Sequence, residues 1–196
     1  MIVNDVTREL TSTPVYEGDP VTDFQWVCRI DCGDEYNLSK LKCCNHAGTH
    51  IDTPKHFIDD GNSITDYPMS RFYGSCTVIT VKDVLTGEDM ERILPRCHKK
   101  ILFKGIDEGV LSLSAVFVMS EYGIELVGTE NISIGYKPEE MRVHRELALN
   151  DVLVIENLDL SKINDGHYTL VALPLKIEGA EASPARVVLL EQEKGL

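Results

Sequence analysis

Apolar residues along this chain fall mostly in short runs, too brief for helices and rich in β-branched and aromatic side chains. Trp26 to Ile30, Tyr36 to Cys44, Cys76 to Val81, Ile101 to Lys104, Ile124 to Val127, Val152 to Ile155, Tyr168 to Leu173 and Arg186 to Leu190 read as strands. Three segments carry helix signals instead. Thr86 followed by Glu88, Asp89 and Glu91 predicts an N-cap with an acidic first turn, and Pro95 ends that segment. A second helix is expected over Ser114 to Tyr122, closed by Gly123. A third opens with Pro138 at the first helical position, carries Glu139 and Glu140 in its first turn, and runs to Leu149. Strands outnumber helices by more than two to one, which predicts an α/β or α+β fold with a sheet-rich core. Strand order and closure do not follow from this pattern.

The 196 residues contain no internal repeat, low-complexity stretch or Ser/Gly/Pro linker, so one domain over residues 1–196 is expected. Hydrophobic residues make up 43% and charged residues 26%, which excludes disorder, collagen-like and coiled-coil readings. Nineteen Lys and Arg against 32 Asp and Glu give a formal charge of -13. That balance repels phosphate backbones and anionic bilayers, so no nucleic-acid partner is expected. The N-terminus has neither a basic leader nor an apolar core, and no run of about 18 apolar residues occurs, which predicts a cytoplasmic protein with no membrane partner. The cysteines at 28, 32, 43, 44, 76 and 97 form no C-x-x-C pair and are expected to be reduced, buried thiols.

Three of the six histidines fall within the eleven residues His46 to His56, together with Asp52. In extended chain, with its two-residue period, His46, His50, Asp52 and His56 project from one face, and Ala47, Thr49, Ile51, Thr53 and Lys55 from the other. A helix would also juxtapose His46 and His50, but Gly48 and Pro54 oppose a continuous helical turn. His46 can approach His50 and Asp52 only if the chain bends, and Gly48 is the residue best able to bend. Imidazole with carboxylate and no thiolate suits zinc, manganese or iron(II), in an open catalytic site rather than a closed structural one.

The stretch His46-Ala47-Gly48-Thr49-His50-Ile51-Asp52-Thr53-Pro54-Lys55-His56-Phe57 resembles, at every fixed position, the H-x-G-T-H-x-D-x-P-x-H-F motif of the cyclase-like metal hydrolases. That family includes bacterial kynurenine formamidases and isatin hydrolases. The resemblance extends along nearly the whole chain. Asp5-Val6-Thr7 is similar to the family's opening element, and Tyr16-Glu17-Gly18-Asp19-Pro20 to its early Y-P-G-D segment, with Glu17 in place of proline. Leu126 to Glu130 resembles its V-G-I-D strand end, with Glu130 where Asp is usual, which leaves the role of Glu130 open. Val143 to Leu147 and Val154 to Leu158 resemble the segments that supply the remaining metal ligands. On their own pattern, His144 reads as a core histidine beside Met141, Leu147 and Ala148 on an apolar helix face, and Glu156 as a solvated strand end.

The resemblance implies one divalent ion held by His46, His50 and Asp52 and a second held by Asp52, His144 and Glu156, zinc before manganese, with His56 as the catalytic acid and base. It implies a swivelling β/β/α fold, a homodimer or higher homo-oligomer, and hydrolysis of a small amide such as N-formylkynurenine. A hydrolase of a cyclic amide, carbamate or lactone is the rival within the enzyme class, and a non-catalytic metal-dependent binder the rival outside it. Phe24, Trp26, Tyr67, Phe72 and Tyr73 could line an aryl pocket or simply pack. His98, in a basic turn, and His167, after Asp165-Gly166, read as surface residues. No G-x-S-x-G, S-x-x-K, H-E-x-x-H, phosphate loop or G-x-G-x-x-G occurs, which removes the serine hydrolase, zincin, kinase and dinucleotide readings.

Overall fold

The computed structural model describes residues 1–191. Along the chain run β1 (Ile2–Asp5), β2 (Asp23–Cys28), β3 (Leu38–Lys42), β4 (His50–Asp52), β5 (Tyr73–Thr80), α1 (Gly87–Ile93), β6 (Lys100–Lys104), α2 (Leu113–Glu121), β7 (Leu126–Thr129), α3 (Glu140–Leu149), β8 (Leu153–Glu156), β9 (Gly166–Pro174) and β10 (Ala182–Glu191). Eight strands form one sheet in the order β1-β10-β4-β8-β7-β6-β5-β9, and β9 pairs with β10 as well. The second pairing closes the sheet on itself into a ring of seven strands with β1 at its edge, while β2 and β3 pair antiparallel in a separate ribbon. This is a mixed α/β fold with a sheet-rich, barrel-like core.

Two halves of the ring follow different rules. β5, β6, β7 and β8 are parallel neighbours, and α1, α2 and α3 are the crossovers that parallel strands require. β4, β9 and β10 join them antiparallel. The alternation of side chains across each strand divides the core in two. Ile51, Cys76, Val78, Leu102, Leu126, Leu153, Ile155, Leu170 and Val187 fill the barrel interior. Ile101, Phe103, Val127 and Val154 face outward and pack under helical residues such as Met90, Val116, Met119, Val143 and Leu147. Each fully buried large side chain of this kind contributes about 1.5–3 kcal/mol of transfer free energy.

The helices start where capping chemistry places them. Thr86 and Asp89 form a reciprocal capping box at α1, and Pro95 sits in the 3-10 turn that follows the helix. Ser112 caps α2 by accepting from the Ala115 amide, so this helix begins one residue earlier than expected. Pro138 opens a 3-10 turn, Lys137–Glu139, and α3 proper starts at Glu140. Met141 departs from expectation: it is 67% exposed, whereas Val143, His144, Leu147 and Ala148 are buried. All eight expected strands form, with shifted ends. β1 is an added four-residue edge strand, and β4 is a short strand within the expected extended stretch.

All six cysteines are free. Only Cys76 is buried, contrary to the expectation for the set, and burial pushes its thiol up to about 12.

Candidate metal centre

The centre is built on the pairing of β4 with β8. His50 lies directly opposite Glu156, Ile51 opposite Ile155, and Asp52 opposite Val154. Strand alternation sends Ile51 and Ile155 into the barrel interior, and therefore turns His50, Asp52 and Glu156 to the outer face. There α3 supplies His144. His46 arrives by a bend at Gly48, whose φ of 62° is the left-handed conformation expected of glycine. Beyond β4, Pro54–His56 forms a 3-10 turn rather than extended chain, and it carries His56 back over the same face. The His46 and His56 ring centres are 4.2 Å apart.

Two groups of donors converge here, His46 with His50 and Asp52, and Asp52 with His144 and Glu156, each within 4.8 Å. His50 Nε2 is 3.4 Å from Asp52 Oδ1 and 3.7 Å from Glu156 Oε2, while His144 Nε2 is 3.6 Å from Glu156 Oε1. Donors about 2.1 Å from a tetrahedral ion lie about 3.4 Å apart, so these separations fit a bound cation. His46 Nδ1 is closer, 2.9 Å from Asp52 Oδ1. The decisive observation is that His50 Nε2 is buried without a hydrogen-bond partner, while Asp52 Oδ1, equally buried, has only the His46 imidazole beside it. An orphaned buried polar atom is costly, and a cation between it and the carboxylate removes that cost.

The outer nitrogens explain why the inner ones are free. His50 Nδ1 lies 2.9 Å from the Gly48 carbonyl, which also accepts from Asn157 Nδ2. With Nδ1 protonated to donate there, the Nε2 lone pair points at Asp52 and Glu156. The second group differs, because His144 Nε2 is 2.9 Å from Ser133 Oγ and Glu156 Oε1 accepts from the Ile134 amide.

Electrostatics follows burial and neighbouring charge. Burial pushes His50, His56 and His144 below the ordinary imidazole range. Burial also acts downward on His46, but the carboxylates of Asp52 and Glu181 outweigh it and raise its pKa. Burial would raise Asp52, yet the imidazoles of His50 and His46 hold it well below the usual carboxylate range. Burial, reinforced by the Asp52 charge, drives Glu156 well above that range.

A cavity of about 350 Å³ opens over the donors and His56, with Tyr16, Phe57, Ile132 and Met141 among its walls. Phe57 stacks on His144 at 5.0 Å, and Lys137 sits 5.2 Å from the Tyr16 ring centre and 3.3 Å from Glu140. Of the two readings left open for the five aromatic residues, a pocket wall or simple packing, the second holds for this cavity. Tyr67 and Phe72 are buried in the barrel core, and Phe24, Trp26 and Tyr73 are exposed. Tyr16 and Phe57 take that place; neither stands in a conspicuously apolar run, although both lie in segments singled out above. Ser133, Glu140 and Glu181 were not anticipated either. Glu130 accepts from the amides of Gly105 and Leu160, so it braces two loops away from the donors. His98 and His167 touch one another at 4.8 Å between ring centres and lie outside the cavity.

Known proteins share this frame. A kynurenine formamidase of Sphingopyxis alaskensis is 29% identical over 204 residues, covering 95% of this chain and 97% of the relative. A solved "predicted metal-dependent hydrolase" from Bacillus stearothermophilus is 27% identical, with a TM-score of 0.79 over 96% of this chain and 97% of that one. Isatin hydrolase A from Ralstonia solanacearum, at 22% identity, shares the fold with a TM-score of 0.81, over 97% of this chain and 92% of its own. Residues 4–136 match the family described as "Putative cyclase", and the chain belongs to that family.

Proposed function

We propose that this protein is a metal-dependent hydrolase of a small, non-peptide amide, an arylformamidase that converts N-formylkynurenine and water to kynurenine and formate. The observation that carries this reading is the orphaned, buried His50 Nε2 facing the Asp52 carboxylate, beside His56 in a cavity of small-molecule size. His46, His50 and Asp52 would hold one ion, and Asp52, His144 and Glu156 a second. Zinc suits this donor set best, and manganese next. A divalent ion bound here supplies Lewis acidity, lowering the pKa of water from 15.7 towards about 7 and polarising a carbonyl oxygen.

The remaining steps fall to the protein. His56, kept neutral at pH 7 by burial, is the base that takes a proton from water and the acid that returns one to the departing nitrogen. The ring of His56 packs against His46 and Phe57, with ring centres at 4.2 and 4.3 Å, which restricts how the imidazole can turn. Tyr16 and Phe57 offer flat walls for an aryl group, and Ile132 and Met141 add apolar surface beside them.

A cyclic amide is the second reading, supported by a different observation. Among the described residues no lysine or arginine lines the cavity, and the neighbouring Lys137 is paired with Glu140, which suits a neutral ring such as isatin.

No helix among the described residues is long and apolar enough to cross a membrane. We further propose that residues 1–196 act as one domain, in the cytoplasm, as a homodimer. In support, β1 and β10 bring both ends of the described chain into one sheet, and the β2–β3 ribbon exposes Phe24, Trp26, Val27, Leu38 and Leu41. Two-stranded ribbons are marginal alone, and a second copy would cover this one.

The test is formate release from N-formylkynurenine and ring opening of isatin, each before chelation, after it, and after zinc or manganese is restored. Metal-dependent formate release supports the formamidase, and metal-dependent isatin opening alone supports the second reading. Bound metal with neither activity would leave a non-catalytic binder.

A further inference from the structure

His46 is the one imidazole of the first donor group whose outer nitrogen meets a side chain. Its Nδ1 faces Asp52 Oδ1 at 2.9 Å, and its Nε2 lies 3.3 Å from Glu181 Oε1. Glu181 is itself held: Asn45 Nδ2 donates to both of its carboxylate oxygens at 3.3 Å. Its backbone is fixed as well, because its carbonyl accepts from the Thr53 amide at 2.9 Å and from Thr53 Oγ1 at 2.8 Å. These contacts follow from the register of β10 on β4, which sets Ala182 opposite Asp52 and so delivers the preceding residue to the edge of the donor group.

An imidazole coordinates through one nitrogen only if the other carries the proton, and a carboxylate facing that other nitrogen both selects this tautomer and makes the ligand more basic. We infer that Glu181 is a positioning residue for the first ion: it accepts the Nε2 proton of His46 and holds its Nδ1 lone pair towards Asp52 and His50. His50 receives the same service from the Gly48 carbonyl, a backbone group that no substitution removes. Glu181 is therefore where the outer support of the first donor group can be altered by mutation. The inference rests on the metal reading above and adds to it a residue that touches neither ion nor reacting atoms.

The experiment measures zinc affinity by chelator competition on the metal-stripped full chain, for wild type, Glu181→Gln and Glu181→Asp, with cobalt absorption spectra of each. Glu181→Gln is expected to weaken zinc binding about 10- to 100-fold and to shift the cobalt spectrum. Its metal-free melting temperature should match that of metal-free wild type. Glu181→Asp, which restores the charge on a shorter arm, is expected to recover part of the affinity. Zinc affinity in Glu181→Gln equal to wild type overturns the inference and leaves the metal reading intact. If the metal-free glutamine variant melts lower, the aspartate variant decides: recovery of affinity supports the role, and affinity no better than glutamine's overturns it. A wild-type chain that takes up no zinc defeats the metal reading, and this inference with it.

Discussion

The two donor groups share Asp52 but wait for an ion in different states. In the first, His46 and His50 have their outer nitrogens beside Glu181 and the Gly48 carbonyl, and His50 Nε2 is left without a hydrogen bond. In the second, Ser133 already occupies His144 Nε2, and the Ile134 amide and burial act on Glu156. The first group gains contacts when a cation arrives. The second must first give up the hydrogen bond between Ser133 and His144. Preorganisation, rather than the number of ligands, separates them, and the first position should fill at lower metal concentration.

The largest effect is expected at the residue the groups share. Asp52→Asn should remove both ions and reduce turnover by at least about 10³-fold, read by elemental analysis and formate release. Normal metal content in this variant would contradict the shared-ligand assignment. His56→Ala should separate chemistry from binding: both ions stay, and kcat falls about 10²- to 10⁴-fold. If that variant lost its metal, His56 would be a ligand instead.

Ser133→Ala sharpens the comparison itself. It removes the hydrogen bond that competes for His144, whose net worth of about 0.5–1.5 kcal/mol predicts a second ion bound about 2- to 10-fold more tightly, with the first unchanged. Calorimetric zinc titration would show it, and a weakened second step would mean that Ser133 supports the site.

The smallest effect lies outside the donors, where Asp151 accepts from Tyr67 and Arg71 and ties the loop after His56 to the turn between α3 and β8. Burial acts upward on this carboxyl, but those hydrogen bonds outweigh it and lower its pKa. A carboxyl lowered on folding stabilises above its unfolded pKa of about 3.9, and that contribution fades as the pH falls through the folded value. Asp151→Asn, which also tolerates the positive φ found here, should cost under about 1 kcal/mol at pH 7 because the side chain is half exposed. In denaturant titrations the gap from wild type should close at low pH. A gap that persists there would assign the effect to packing.

The comparison also shows what the amino-acid sequence could reveal. His50 and Asp52 were legible because strand alternation acts over a few residues, and His46 because one glycine bends the chain; His56 stood in the same stretch, but a 3-10 turn rather than alternation brings it to the site. His144 and Glu156 became candidates only through resemblance, since a helix-face histidine and a strand-end glutamate carry no local mark of metal binding. Glu181 and Ser133 were invisible: Glu181 reaches Asn45 across 136 positions, and only the β4–β10 register brings it there. The same limit governs the fold. Short β-rich runs gave the strands, whereas β9's pairing with both β5 and β10, which closes the barrel, depends on contacts that no local pattern records.

The two ion positions about Asp52 are expected to fill unequally. Anomalous diffraction at the zinc edge, from crystals equilibrated with less than one zinc per chain, tests it directly. The dominant peak is expected among His46, His50 and Asp52, with the position among Asp52, His144 and Glu156 filling only as zinc is raised. Zinc appearing first at the second position, or away from Asp52 altogether, would contradict it.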